Sequence, residues 1–555
     1  MNGAELIARI LEKEGIEIIP CYPYNPVIEE GAKIGLRPIV VRQERQALHI
    51  ADGYARVTGG KKICATAVQT GPGSENAFGG VAQCFGDNVP LLHLPGGYMF
   101  RELMVRPNFN ASRSMQHINK HCEMAMNAEH LPQMLQNAFA MIRNGRPGPV
   151  TIELPDDVFE QDVEDALLDT YCPQRRSAPV ANPSDVKELA EALLKAQAPV
   201  IVAGQGILYA DACEELKTLA ELTQTPVMTT LNGKSAFPEN HPLSLGCGGR
   251  ARPDQLVHFL NKADVILGLG TSFTRSDYIT PLPEKGKTFL QLTNWEGDIS
   301  KDYSVDYAAI GDAKPSIAAL VEEIKDRAVL PDRMNGKETI EELATAREAF
   351  MEKWLPVLTS DEVPITPYRV VWDLMKVIDR TKSTVTHDAG SPREQLTTFY
   401  ESITPHGYLG WGKTTQLGTG LGLVQGAKLA RPDWTCVNFM GDASIGMVMA
   451  DIETGVRCNI GTTSIVFRNN IMGNYSDYLP VSSERYDLNK VGGDYAGVAE
   501  SLGAHAERVS TPDAIVPALR SAFAKNAEGM PAIVEVMTRE EKRAAKLLPD
   551  GCSVS

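Results

Sequence analysis

The chain of 555 residues contains no uninterrupted apolar run approaching the roughly 18–20 residues needed to cross a membrane. Its first stretch, MNGAELIARILEKEGIEII, alternates apolar and charged residues at helical spacing. It lacks the basic start and continuous apolar core of a secretory signal. Cysteine is sparse: ten residues, with no CxxC pair and no framework spacing, which excludes a disulfide scaffold and fits reduced thiols in a cytoplasmic protein. Cys64, Cys84 and Cys436 lie in apolar runs and are expected in the core. Basic residues are outnumbered, 54 Lys and Arg against 70 Asp and Glu. The net charge of −16 argues against a nucleic-acid partner, which requires a basic face. An anionic small substrate stays compatible, because a site can be locally positive on an acidic protein. No internal repeat of 20–50 residues is visible.

What is present is the composition of an ordinary globular protein, 43% hydrophobic and 22% charged, long enough for about three or four domains. Three stretches alternate strand-like and helix-like segments. Residues 1–170 include the strand-like pieces Pro38–Val41, Ile63–Val68, Val89–Leu94 and Pro149–Leu154. A proline-rich connection, YCPQRRSAPVANPS, leads into residues 185–330, where PVIVAG, PVMTT, ADVILGLG and TFLQLT alternate with helical patterns. A charged, mostly helical connection precedes residues 365–540, which repeat the alternation through TVTHDAG, WTCVNFM, TTSIVFR and PAIVEVM. This pattern predicts an α/β protein of three doubly wound parallel-sheet domains, with function at the C-terminal ends of the strands.

The most informative segment is WTCVNFMGDASIGMVMADIETGVRCNIGTTSIVFRNNIMGN. A strand ends at Met440, Gly441 permits a tight turn, and Asp442 stands at the strand end. A helix from Ser444 to about Arg457 and a strand over Thr463–Phe467 lead to Asn469 and Asn470. Asp442 and Asn469 are 27 positions apart, the length of one crossover, so parallel pairing brings both to one sheet edge, where neighbouring strands lie about 4.8 Å apart. A carboxylate and an amide oxygen, completed by carbonyl, water and phosphate oxygens, form a hard set suited to Mg²⁺. The helix start beside Ala443 and Ser444 offers N–H groups to a diphosphate. The plain alternative is a helix cap and an Asn turn. Upstream, in PIVVRQERQALHIADGYARVTGG, Glu44 sits between a strand and an amphipathic helix, where an acid also complements the helix dipole.

These segments resemble the motifs of the thiamine diphosphate-dependent enzyme superfamily, closest to its acetohydroxyacid (acetolactate) synthase-like branch, with RPGPVTIELPDDV and the GDA turn as further likenesses. The resemblance implies a pyrimidine-binding, a middle and a diphosphate-binding domain in that order. It makes Asp442, Asn469 and the carbonyl of Ile471 the metal ligands, and Glu44 the carboxyl that activates the cofactor's aminopyrimidine. One departure is the Asn pair, whose second member carries the ligand in many relatives. Thr70, Gly71 and Gln69 would face the reaction centre. Asp388, Ala389, Gly390 and Ser391 would meet the diphosphate, with Gly441, Ala443, Ser444, Gly473, Asn474 and Tyr475. Leu417 would support the bent cofactor, and the carbonyl of Thr415 would receive its amino group. A homodimer or homotetramer with sites between subunits also follows from the resemblance.

Near the substrate, Asn474, Tyr475 and Tyr478 depart from acetolactate synthases, and the paired histidines of simple decarboxylases are missing, His93 reading as a packed strand residue. Asn110, Gln116, His117 and Lys413 are further candidates for substrate contact, each equally readable as a surface group. The expected function is a carboligase acting on a 2-oxoacid; a 2-oxoacid decarboxylase or C–C lyase and an FAD-containing oxidase are alternatives. FAD would lie in the middle domain, where GQGIL, GCGGRARPD and Ser272 are weak signals, and it is not the favoured expectation. The closing KLLPDGCSVS reads either as a loose tail or as a cover for the site.

Overall fold

A computed structural model describes residues 1–541 except 277, 328–330, 335–336 and 474. The expectations for Asn474 and for the closing tail therefore lie outside the described residues. Each of the three α/β stretches folds around one six-stranded, wholly parallel sheet.

The first sheet contains β1 (Ile18–Tyr22), β2 (Arg37–Val40), β3 (Ala65–Val68), β4 (Leu91–Gly97), β5 (His121–Met124) and β6 (Pro149–Pro155), in the order β2-β1-β3-β4-β6-β5. The second has β7 (Pro199–Ala203), β8 (Val227–Thr230), β9 (Ser244–Gly248), β10 (Val265–Leu269), β11 (Thr288–Thr293) and β12 (Tyr307–Ile310), ordered β12-β11-β10-β7-β8-β9. The third comprises β13 (Ser383–His387), β14 (Tyr408–Leu409), β15 (Thr435–Gly441), β16 (Thr463–Arg468), β17 (His505–Val509) and β18 (Ala532–Met537), ordered β14-β13-β15-β16-β18-β17. Central strands such as β3, β7 and β13 are buried throughout, as expected of parallel strands covered by helices on both faces. Crossover helices supply those covers, and separate apolar cores form on the two faces.

The segment around Asp442 differs from expectation in one detail. Two short helices, Asp442–Val448 and Ile452–Arg457, replace a single helix, with a tighter turn at Met449–Asp451 between them. Asp451 explains the break. Its carboxylate accepts the N–H of Arg42 in the first domain (2.8 Å) and the hydroxyl of Thr454 (3.0 Å).

The first and third domains pack through two helices, Glu44–Val57 and Thr419–Ala430. Glycines permit this approach: a Cβ on Gly53 would overlap the carbonyl of Leu423, and one on Gly426 the carbonyl of Ile50. The described cysteines are free thiols, and burial pushes that of Cys436 up to about 12. Among the described residues, no helix is long and apolar enough to cross a membrane.

Candidate active site

Asp442 begins its helix at the end of β15, and Asn469 follows β16, whose register pairs Gly441 with Phe467. The two residues therefore share one edge of the third sheet. One carboxylate oxygen of Asp442 accepts the N–H groups of Asn469 (3.0 Å) and Asn470 (3.1 Å). The other, Oδ1, is buried and has no partner among the described residues. Burial pushes the Asp442 carboxyl above its usual range. A buried, unpaired carboxylate oxygen is costly unless a cation or donor meets it, so this atom suits a metal ion. The Asn469 amide oxygen accepts the N–H of Ile471 (3.0 Å), which orients the side chain at this edge. Asn470 stands in the left-handed region (φ +59°), and its amide oxygen is taken by Arg468 (3.2 Å). No cluster of three or more His, Cys, Asp or Glu side chains suited to a metal occurs among the described residues. A cation at Asp442 would therefore rely on amide, carbonyl and phosphate oxygens to complete its shell.

Three segments meet at this edge. The hydroxyl of Ser444 both receives the Gly441 N–H (3.1 Å) and donates to the Gly441 carbonyl (3.0 Å), fixing the turn around Ala443. Gly473 lies against the Ser391 hydroxyl, where a Cβ would come within 2.8 Å, and Gly441 faces Pro392. Asp388 plays a different part from the one its position suggests. Its N–H is spent on Phe439 (2.6 Å), and its buried carboxylate accepts the N–H groups of Ala389 (2.8 Å), Gly418 (3.0 Å) and Gly420 (2.9 Å). Burial pushes Asp388 up to about 6 against those donors. Asp388 and Ala389 thus spend their N–H groups inside the protein, leaving those of Gly390 (φ +90°), which caps the following helix, and Ser391, which opens it, as the remaining donors of this turn.

Leu417 is half-buried and packs on Ala389, Trp411 and Leu423. Thr415 just before it holds a left-handed conformation (φ +55°). Glu44, 3% exposed, opens its helix, and among the described residues its carboxylate has no hydrogen-bond or ion-pair partner. Its neighbour Gln46 donates to the Gly418 carbonyl (2.9 Å), tying this helix start to the segment that carries Leu417. Gly71 (φ +67°) opens the helix Pro72–Gly86, and Thr70 donates to the Gly97 carbonyl (3.3 Å). The side chain of Gln69 lies against Gly73.

The proposed substrate contacts are less unified. Asn110 caps a short helix, accepting from the Arg113 N–H (3.0 Å) and the Ser112 hydroxyl (2.9 Å). Gln116, His117, Tyr475 and Tyr478 are exposed in the single chain. Lys413 faces a cavity of the middle domain. Two residues near the site escaped the sequence reading. Tyr98 sets its hydroxyl over Gly71, and Tyr495 donates to the Asp442 carbonyl (3.3 Å). Neither stands in a motif, so only the fold brings them in.

Comparison with known proteins agrees with the three-domain organisation. Residues 1–121 match the family model of the thiamine pyrophosphate enzyme N-terminal TPP binding domain, 186–320 the central domain, and 388–536 the C-terminal TPP binding domain. A probable acetolactate synthase large subunit from Methanococcus aeolicus is 31% identical, covering 94% of this chain and 90% of its own length. The chain belongs to the thiamine pyrophosphate enzyme family, in its acetolactate-synthase-like branch. A probable acetolactate synthase large subunit from Methanocaldococcus jannaschii is 30% identical over 95% of this chain and 90% of its own. A glyoxylate carboligase from Escherichia coli O157:H7 is 28% identical over 97% and 93%. As a thiamine pyrophosphate family member, the chain is a thiamine diphosphate-dependent enzyme, and the branch acts on carbon–carbon bonds.

Proposed function

We propose that this enzyme is a Mg²⁺-dependent carboligase that decarboxylates a 2-oxoacid and joins the remaining fragment to a second carbonyl compound. The observation that carries the reading is the unpartnered Asp442 Oδ1 at the sheet edge shared with Asn469. Asp442, Asn469 and the carbonyl of Ile471 hold the metal. Gly390, Ser391, Ala443 and Ser444 would receive the diphosphate. Thiamine diphosphate, when bound, supplies the nucleophilic carbon that attacks the 2-oxo group. The Glu44 carboxyl would meet the aminopyrimidine ring, and its burial would keep water from competing for that contact. Leu417 would support the bent cofactor, and the carbonyl of Thr415 would receive its amino group. The names of the relatives, acetolactate synthase and glyoxylate carboligase, support ligation over simple decarboxylation.

Incubating holoenzyme with a panel of 2-oxoacids, with and without aldehyde acceptors, and identifying products by mass spectrometry tests the reading. Hydroxyketone or acetohydroxyacid products are expected. Free aldehyde as the sole product makes the enzyme a decarboxylase or lyase instead.

The middle domain adds a second component. A cavity of about 370 Å³ lies at the C-terminal ends of β7, β8, β10 and β11, within the range of about 300–1,000 Å³ usual for small-ligand sites. The strand order reverses there between β7 and β10, the position where doubly wound sheets bind nucleotides. Gly204, Gly206, Gly248 and Ser272, from the sequence signals noted above, all line it. A nucleotide fits this cavity, FAD among the candidates. Flavin absorption in the purified protein, with consumption of an electron acceptor, is the outcome expected of an oxidase; a colourless active enzyme removes that alternative.

A further inference from the structure

Five cations line the middle-domain cavity: Lys61, Arg143, Arg146, Arg176 and Lys413. Four are neutralised by neighbouring acids. Lys61 pairs with Asp211 (3.0 Å), Arg146 with Asp298 (2.7 Å), Arg143 with Glu14 and Arg176 with Asp312. Lys413, half-buried in the cavity wall, has no ion pair or hydrogen bond to any described residue, and burial pushes its amine down to about 8 against the pull of Asp87 and Asp298. An ammonium group that lines a cavity with no direct partner favours an anion that reaches it.

The position of Lys413 gives that preference a consequence. It comes from the third domain, two residues before Thr415 and four before Leu417, the residues that meet the cofactor in the reading above. The same segment is tied to the cavity by a second route. The Thr414 hydroxyl donates to the amide oxygen of Gln83, and Gln83 donates in turn to the Asp87 carboxylate. The other oxygen of Asp87 accepts from Asn232 (2.8 Å), which lines the cavity. Asp87 is fully buried, so the first, middle and third domains meet at one carboxylate.

Resting on the reading that the middle domain holds a nucleotide, we propose that Lys413 receives an anionic group of that ligand, and that cavity occupancy thereby positions residues 413–417 for thiamine diphosphate. Lys413 is then a positioning residue, and the two ligands bind interdependently. Linkage requires the effect to be reciprocal.

Calorimetry on the full-length enzyme tests this, with ADP as the anionic probe and adenosine as its uncharged counterpart. With Mg²⁺ and thiamine diphosphate present, ADP is expected to bind at least about ten-fold more tightly than adenosine. Lys413→Met should abolish that difference, and Lys413→Arg should retain most of it. In a second titration, ADP should tighten thiamine diphosphate binding to the cofactor-free enzyme about five-fold or more in the wild type and in Lys413→Arg, and not in Lys413→Met. Competition at the cofactor site would give the opposite sign. Circular dichroism confirms that each variant is folded; if Lys413→Met is not, the wild-type and Lys413→Arg titrations decide. Equal binding of ADP and adenosine, no binding of ADP, or thiamine diphosphate affinity indifferent to ADP each overturns the proposal. None of these outcomes depends on the product, so an enzyme that releases only aldehyde would remove the carboligase reading and leave this one standing.

Discussion

On the proposed reading, Asp442 divides its two oxygens between structure and a metal ligand. One clamps the Asn469–Asn470 turn through two N–H groups, while the other faces the sheet edge without a partner. Replacement by Ala removes both the clamp and the metal oxygen. Mg²⁺-dependent binding of thiamine diphosphate should fall at least about 100-fold in Asp442→Ala, as expected when a charged ligand to a hard cation is lost. Calorimetry with and without EDTA measures it, and an unchanged affinity would take the metal away from Asp442. The shared sheet edge of Asp442 and Asn469 was legible in the sequence, because their 27-residue separation is a topological quantity that one crossover fixes. The orientation of Lys413 was not. A residue in an irregular loop carries no periodicity, and whether it faces the middle-domain cavity depends on how three domains meet. Asp388 was half legible: its place at a strand end could be read, but not the spending of its carboxylate and N–H on its own loop.

Between elements, the helix pair Glu44–Val57 and Thr419–Ala430 sets the relation of the first domain to the third. The glycines of GTGLGLVQGA read in sequence as a turn entering a helix; their role as a contact surface needs a partner that local sequence does not name. A methyl group at Gly53 has no space beside the Leu423 carbonyl. Gly53→Ala should therefore destabilise the protein by about 1–3 kcal/mol, the usual cost of overpacking, despite its better helix propensity. A denaturant melt checks this, and a stabilised variant would show that the pair is looser than it stands. Tertiary contact also overrode local pattern at Asp451, which splits the expected helix to reach Arg42. The edge strand His121–Met124 was equally hidden, since four half-buried residues give too short a pattern to identify.

At the scale of the molecule, the single chain leaves large apolar side chains uncovered near its site. Met447 follows the metal turn at 51% exposure, Tyr478 stands at 67%, and Phe85 of the helix Pro72–Gly86 at 41%. Such a surface favours association, and the family resemblance implies, as a proposal, a site between two subunits. Glu44→Gln and Asp442→Ala enzymes should each be nearly inactive alone. After denaturation and refolding together, the mixture should recover about a quarter of wild-type activity, because half of the dimers are mixed and each of these holds one intact shared site. No recovery would mean that each chain completes its own site. The three parallel sheets were readable because alternation and strand burial are local, whereas the surface joining two chains belongs to no single segment.

The junction at Asp87 bears on how freely the enzyme can be recombined. Thr414 through Gln83, and Asn232 directly, converge on this one buried carboxylate, so each domain supplies a group that the others must match. A middle domain grafted from a relative lacking the equivalent of Asn232 would leave the Asp87 oxygen unsatisfied in a chimera whose sheets are all intact. Exchange of whole domains within the family is thus restricted at a point far from any cofactor-binding motif, and a working graft must carry the junction along with the sheet.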